Sequence, residues 1–373
     1  MADKSAIEWT DATWNPIVGC SILTPGCTHC YAMGMAGRIE AMTAALKAQG
    51  KLGAPHYDGT TKKVNGNTVW TGKLALAPAA ILTEPLAWRR PRRIFVNSMG
   101  DLFHEDVPDA WIDEVFAVMA VTPHHSYQPL TKRATRARRY LSDPATKRRI
   151  YSIACDLVIK RELQVILIAP GMDQRDAPPG PRIYLDQWPL PNVWLGVSAE
   201  RQQEADERIP ELLATPAAIR FVSAEPLLGP IDFYKTSGSM PAETHPWRNG
   251  PILQGIDWII VGGESGPDAR PMHPDWARAI RDQCAAAGVP FFFKQWGEWV
   301  PGECANKAAT RTERTASLCD DDWLRPKWSY STITPRQSEE THRDDEPDVY
   351  RLGKKAAGRK LDGVEHNAMP EAR

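Results

Sequence analysis

No stretch of this 373-residue sequence is apolar for long enough to cross a bilayer, and none reads as a secretory leader. The expectation is a cytoplasmic protein with reduced thiols and no membrane association. A surplus of either charge is also missing. Lys and Arg number 45 against 46 Asp and Glu, for a net charge of −1. That excludes a global basic field for nucleic acid and leaves room for a local one. An even cysteine count is lacking too, since there are seven. In a reducing setting, closely spaced cysteines mean metal or redox chemistry more often than a disulfide. Phe and Tyr are sparse, at 8 and 9, each fewer than the 14 Trp, which are about three times ordinary usage. Such rings read as core and edge packing, with stacking on a base or cofactor open to those in loops.

Three of the cysteines are concentrated near the start. Gly19-Cys20-Ser21-Ile22-Leu23-Thr24-Pro25-Gly26-Cys27-Thr28-His29-Cys30-Tyr31 carries them at the spacing C-x6-C-x2-C. Gly19, Pro25 and Gly26 mark a loop. From Tyr31 the pattern turns helical, with Tyr31, Met35, Ile39 and Met42 on one face. Thiols this close suit one metal centre. A structural zinc site usually takes four ligands, so zinc needs a fourth from His29, Cys304 or Cys319. A four-iron cluster held by three cysteines keeps one iron open. Cys155 and Cys284 read as incidental thiols.

Along the chain, short apolar runs alternate with amphipathic helices. The runs are Thr13–Val18, then stretches opening at Arg93, Ser126, Asn192, Ala218, Ile256 and Val289. Helices are expected over Tyr31–Gln49, Pro78–Trp88, Trp111–Ala120, 201–214 and Pro274–Ala287. About seven strands buried on both faces indicate a mostly parallel sheet. That count predicts an α/β fold, a partial or full (β/α) barrel over residues 1–300. Insertions are expected at about 50–72, 141–190 and 232–255. Residues 301–373 read as a polar C-terminal extension, partly loop, whose end docks as a cap.

Polar residues gather where the strands end: Ser98 and Asp101, Lys132 and Arg133, Ser198 and Glu200, Ser223 and Glu225, Glu264, Lys294 and Gln295. In a barrel these ends surround one mouth, and the cysteine loop follows the first strand to the same place. Ser-Ala-Glu occurs twice, at 198–200 and 223–225. Glu200, Glu225, Glu264 and Lys294 are therefore the candidates for catalysis at the mouth. The bland alternative is helix capping or pairing with arginines such as Arg201 and Arg208. Between Lys132 and Arg149 lie eight basic residues and one acidic residue, Asp143. This reads either as a solvated helix face or as a phosphate-contacting patch.

A cysteine triplet after the first strand, ending in C-x2-C-Tyr and followed by strand–helix units, resembles the radical S-adenosylmethionine (SAM) superfamily. The usual spacing there is C-x3-C-x2-C. The fuller pattern is similar to a phage- and prophage-borne three-cysteine-motif protein family. It includes Ile-Glu-Trp-Thr-Asp-Ala-Thr-Trp-Asn-Pro, Phe-Val-Asn-Ser-Met-Gly-Asp-Leu-Phe, Trp-Leu-Gly-Val-Ser-Ala-Glu, Val-Gly-Gly-Glu-Ser-Gly and Phe-Phe-Lys-Gln-Trp-Gly. The strand ends look most like the spore photoproduct lyase branch. The resemblance implies a [4Fe-4S] cluster on Cys20, Cys27 and Cys30, with SAM chelating the open iron. It implies Tyr31 near the adenine, Asn97, Ser98 and Asp101 at the amino group or ribose, Lys132 at the carboxylate, and Ser198 at the carboxylate or ribose. The superfamily's Gly-Gly-Glu motif is absent after the second strand. Gly262-Gly263-Glu264 follows a late strand and is not its equivalent.

Three functional readings follow. The first is a radical SAM enzyme that modifies or repairs a nucleic acid or nucleotide, fed by an external electron donor. The second is a zinc-binding, non-catalytic module that docks a nucleic acid or a protein partner. The third is a radical SAM enzyme acting on a peptide or small metabolite.

Overall fold

The structure, a computed structural model, describes residues 5, 7–168, 182–184, 187–234, 252–304, 312–320, 326–333 and 347–371. Seven strands form one sheet: β1 (Ala12–Trp14), β2 (Arg93–Val96), β3 (Ser126–Thr131), β4 (Trp194–Ser198), β5 (Ile219–Ala224), β6 (Trp258–Gly262) and β7 (Phe291–Gln295). Each lies beside its predecessor in the chain, and all neighbours are parallel. This is the order of a β/α barrel wall, with β1 and β7 as its edges, so the fold is a curled half-barrel. No helix among the described residues is long and apolar enough to cross a membrane.

The strands are apolar on both faces, but the two faces do different work. Ile94, Val96, Leu195, Val197, Val222, Ala224, Ile259, Val261 and Phe293 join the large core beneath the helices. Alternate residues line the concave side, where Trp9, Phe95, Trp194, Phe221, Trp258 and Phe292 form a second cluster. Trp9 shows the curl. Its ring lies 4.9 Å from Phe95 on β2 and 6.1 Å from Trp258 on β6. In a flat sheet those strands stand about 19 Å apart, so one ring reaches both only if the sheet wraps around it. Most of the tryptophan excess is packing of this kind: Trp9, Trp14, Trp258 and Trp296 are all essentially fully buried.

Helices α2 (Asp109–Ala120), α3 (Ala134–Ser142), α4 (Pro144–Lys160), α5 (Gln202–Leu213) and α6 (Pro274–Ala287) follow the strands. The 141–190 insertion contributes α4, which packs on α2 and reaches it through Arg149 Nε, 2.8 Å from buried Asp113. The expected loop from Pro170 to Pro189 and most of 232–255 lie largely outside the described residues.

Helix α1 (Tyr31–Lys47) departs from this pattern. It packs on a hairpin, Thr61–Val64 with Asn67–Trp70, and not on the sheet. Asn65 and Gly66 make the turn with positive φ at both positions, as a two-residue hairpin requires. Ile17–Val18, expected as the end of β1, leaves the sheet to pair with Ala75–Leu76. Residues 19–77 thus form a lobe with its own core of Ala32, Met33, Ala36, Tyr57 and Trp70. The expected 50–72 insertion belongs to this lobe. Of Tyr31, Met35, Ile39 and Met42, which share a helical face by periodicity, only Ile39 packs against the lobe core; the other three turn outward, and small Ala32 and Ala36 face the core.

Part of the stretch expected as loop after residue 300 is β-structure. Strands β8 (Trp299–Pro301), β9 (Glu313–Asp320), β10 (Lys327–Ile333) and β11 (Val349–Arg351) make a four-stranded antiparallel sheet ordered β8-β11-β9-β10. Its polar composition fits strands exposed on one side, as β10 largely is. The last residues dock under the barrel. Trp258 Nε1 donates to Ala368 O at 2.8 Å, Phe292 bridges Asn367, and Met369 packs on the aromatic cluster.

Gly196 on β4 lies under the Phe221 ring, where a Cβ would overlap ring carbons held by Trp9 and Trp258. Gly196→Ala is expected to cost about 1–3 kcal/mol in folding free energy by overpacking. Urea denaturation of the variant beside the unaltered chain measures it.

Candidate functional site

The cysteine loop folds over the C-terminal ends of the strands and is fastened there at three points. The deepest is Glu200, just beyond β4 and 0% exposed. Its Oε1 accepts from Thr24 Oγ1 in the loop at 3.1 Å, and its Oε2 accepts from Arg208 Nη1 on α5 at 3.0 Å. Lys132, after β3, pairs with the same carboxylate. Gly26 makes the approach possible, because any side chain there would overlap Glu200. A buried carboxylate needs such partners: two cations and a hydroxyl offset its desolvation.

The second point is Asp101, in the loop after β2. Asp101 Oδ1 accepts from Thr131 Oγ1 at 2.7 Å and Phe103 N at 3.0 Å. Its Oδ2 accepts from Lys132 N at 3.0 Å and Arg133 Nη1 at 3.1 Å. Arg133 carries the contact onward: Nη1 lies 3.7 Å from Cys20 Sγ, Nη2 donates to Ser21 Oγ at 2.7 Å, and Nε to Glu105 Oε2 at 2.8 Å. His104 Nε2 sits 2.7 Å from the same Ser21 hydroxyl. The third point is Glu264, after β6. His29 Nδ1 lies 3.2 Å from its Oε2, and Arg270 Nη2 donates to its Oε1 at 2.6 Å. Burial alone would raise the Glu264 carboxyl, but the Arg270 hydrogen bonds and charge hold it below the usual range.

The three thiols differ. Burial, helped by Asp101, pushes Cys20 up to about 12, and burial also raises Cys30. Burial acts on Cys27 too, but the nearby Lys132 ammonium and hydrogen bonds from Leu23 and Thr24 outweigh it and bring this thiol below its ordinary value. Lys132 responds in turn: burial takes its ammonium down to about 8 against the pull of Cys27.

The remaining mouth residues make their contacts at or near the strand ends. Glu225 Oε1 meets Lys294 Nζ at 2.8 Å, and Oε2 accepts from Ser223 Oγ at 3.0 Å. Tyr31 OH donates to Ser98 O at 3.0 Å, and Ser98 Oγ to Asn15 Oδ1 at 3.1 Å. Asn97 Oδ1 accepts from Ile17 N at 3.3 Å, while its buried Nδ2 has no partner among the described residues. Gln295 Nε2 donates to Ser265 Oγ at 3.0 Å, and its buried Oε1 is also without a partner among them. Ser198 is buried on β4, and its carbonyl accepts from Arg208 at 2.7 Å.

The expected residues therefore come together at one mouth, but they divide by availability. Asp101 and Lys132 are engaged inside the protein, whereas Asn97 and Gln295 offer unpaired polar atoms. Arg133, His104 and Arg270, which reach the loop or its partners, were not singled out for these contacts. A basic residue beside each expected ligand was the available signal. The basic segment is mostly consumed internally. Lys132, Arg133, Arg136, Arg138 and Arg149 pair with Glu200, Asp101, Asp109, Glu211 and Asp113. A cleft of about 350 Å³ flanks the outside of the loop between Lys132–Arg136 and α5, and its cations are largely these paired ones. Of the zinc candidates, His29 is held by Glu264, and Cys319 lies on β9, with its thiol near Ser317 O at 3.6 Å.

A family model described as "Protein of unknown function (DUF5131)" matches residues 4–370. No curated protein matches. Among solved structures, a chitinase from Rhizomucor miehei is similar at 13% identity, over 73% of this chain and 80% of that one, with a TM-score of 0.23. A Bacillus subtilis protein described as a sporulation-specific glycosylase is similar at 11% identity, over 68% and 75%, with a TM-score of 0.20. At these scores neither likeness bears on the site.

Removing Glu200 should destabilise the chain more than removing either cation. Glu200→Gln leaves Lys132 and Arg208 facing each other in a buried position, at an expected cost of about 3–5 kcal/mol. Arg208→Met should cost less, because Lys132 still meets the carboxylate. Chemical denaturation of the two variants ranks them.

Proposed function

We propose that this chain, which belongs to the DUF5131 family of unknown function, is an iron–sulfur radical SAM enzyme that modifies or repairs a nucleic acid or nucleotide. The observation that most supports the reading is the fastening of a three-cysteine loop over the mouth of a parallel half-barrel by Glu200, Arg133 with Asp101, and Glu264. A loop held at three strand ends keeps its thiols over the concave face, where a substrate can enter.

The donor set suits a cluster: three thiols leave one iron of a cubane open, whereas a structural zinc usually takes four ligands. The Arg133 N–H beside Cys20 is the kind of contact that tunes such sulfurs. Cys20, Cys27 and Cys30 would hold the cluster. When bound, it supplies a low-potential electron that cleaves the sulfonium of SAM and yields a 5′-deoxyadenosyl radical.

The chain's own residues would orient and shield. Among the buried polar atoms without a partner in the described residues, Asn97 Nδ2 and Gln295 Oε1 lie at strand ends, where a bound ligand would meet them. Tyr31 is 58% exposed and anchored through Ser98 O, which suits a flat ring at the mouth. Glu225 and Lys294 make an ion pair beside Ser223 that would hold polar groups of a substrate at the concave face. Asp101 and Lys132 act on the loop and its fastening, which leaves Asn97, Ser98 and Ser198 nearer to the roles the resemblance implies.

Reconstitution with iron and sulfide under anaerobic conditions should give a brown protein carrying about four irons per chain. With dithionite it should convert SAM to 5′-deoxyadenosine. Cys20→Ala, Cys27→Ala and Cys30→Ala should each lose both properties. A reconstituted protein without iron, or with one equivalent of zinc, would sink the reading.

A further inference from the structure

The lobe of residues 19–77 is unlike the rest of the surface in two independent ways. It carries six basic side chains (Arg38, Lys47, Lys51, Lys62, Lys63 and Lys73) against two acidic ones, Glu40 and Asp58, a net charge of +4 in a chain whose total is −1. Both acids are also occupied locally. Glu40 accepts from Thr60 Oγ1 and Thr61 N at 3.0 Å, and Asp58 pairs with Lys47. The second feature is apolar. Among the described residues, seven of the eleven large hydrophobic side chains exposed to solvent lie in this lobe: Ile22, Leu23, Tyr31, Met35, Met42, Leu52 and Val64.

These residues are not scattered. Tyr31, Met35, Arg38 and Met42 recur at steps of four, three and four along α1, so they make one stripe. The stripe spans about 16 Å, from Tyr31 at the mouth to Met42 on the outer part of the lobe. Its inner end is fixed beside the candidate site through the Tyr31–Ser98 hydrogen bond. Lys62 and Lys63 are exposed on the hairpin that packs against the same helix.

We infer that this lobe is a platform for single-stranded nucleic acid, leading one strand along α1 into the mouth. The inference rests on the functional reading above and names its substrate class. A single strand carries flat apolar bases along one edge and phosphates along the other, and the lobe offers an apolar stripe on α1 together with a basic hairpin that packs on the Gly37–Glu40 side of the same helix. An aromatic ring and flexible methionines suit bases without selecting among them. Continuity with the mouth separates this occupant from an acidic protein, which would cover the stripe without entering. It also relocates the basic field expected from the sequence. The field lies on the lobe, because most of the 132–149 cations are spent inside the fold.

The test uses the full chain without SAM and a fluorescently labelled 12-nucleotide single strand, as DNA and as RNA, followed by anisotropy. Binding is expected at low salt and should weaken steeply as salt rises. The double variant Lys62→Glu/Lys63→Glu should weaken it about tenfold or more. Met35→Ala/Met42→Ala should weaken it severalfold with little change in the salt slope. Arg139→Glu/Arg148→Glu, on exposed basic positions outside the lobe, should leave it within about twofold, and thermal melts check that all variants fold. No binding at low salt, or equal losses from the lobe and the 139/148 variants, would overturn the platform. So would a duplex bound as tightly as the single strand, or binding only of an acidic protein. Because the readout needs neither iron nor SAM, its failure is distinct from failure of the cluster reading.

Discussion

A single buried carboxylate organises this protein. Glu200 has no exposure to water, so its charge must be met inside the fold, and it is met from three directions: the cysteine loop through Thr24, β3 through Lys132 and α5 through Arg208. Desolvation makes these contacts mutually dependent, since losing one partner leaves the others facing an uncompensated charge. Fixing the loop at Glu200 also fixes where Cys27 lies relative to Lys132, which is why this thiol alone among the three is brought below its ordinary range. The loop's placement and its electrostatics thus have one origin.

The half-barrel supplies the frame for that carboxylate. An open parallel sheet has two edges and an exposed concave face, and both are liabilities. This chain covers them with segments from its two ends. Trp9 fills the concave face against Phe95 and Trp258, while residues near Asn367 and Met369 pair with β7 and close over the aromatic cluster. The polar end of the barrel is left open, and there the loop, the basic lobe and the β6–α6 segment meet. In the functional reading proposed above, this division separates a packed floor that holds shape from a polar mouth that does chemistry.

Much of the framework was legible because buried parallel strands write an unambiguous pattern. Runs such as Trp194–Ser198 and Trp258–Gly262 are apolar on both faces, end in polar residues and alternate with amphipathic helices, which together mark parallel strands. The clustering of Glu200, Glu225, Glu264 and Lys294 followed from that pattern. The second sheet was not legible, because β10 is mostly exposed and its sequence differs little from that of a loop. The direction of α1 was also hidden. Periodicity marks a stripe of Tyr31, Met35, Ile39 and Met42 but cannot say which of its edges faces the core and which the solvent, and only Ile39 packs inward. Here Ala32 and Ala36 allow the closer approach and take the inside.

The sequence by itself pointed to about seven parallel strands, the polar strand ends and the cysteine loop opening into a helix, because each is encoded in local periodicity and spacing; the order of the strands came from the tertiary structure. Only the tertiary structure decided which charges are spent and which remain. Asp101 and most of the 132–149 cations are consumed by partners brought from distant elements, while Asn97 and Gln295 keep unpaired atoms at the mouth. Pairing depends on where a side chain's neighbours come from in space, and a linear spacing carries no record of that. The Cys20-Cys27-Cys30 loop could be read as a soft-metal site from its residues alone. That it is fastened over the mouth by a carboxylate 170 to 180 positions away in the chain could not.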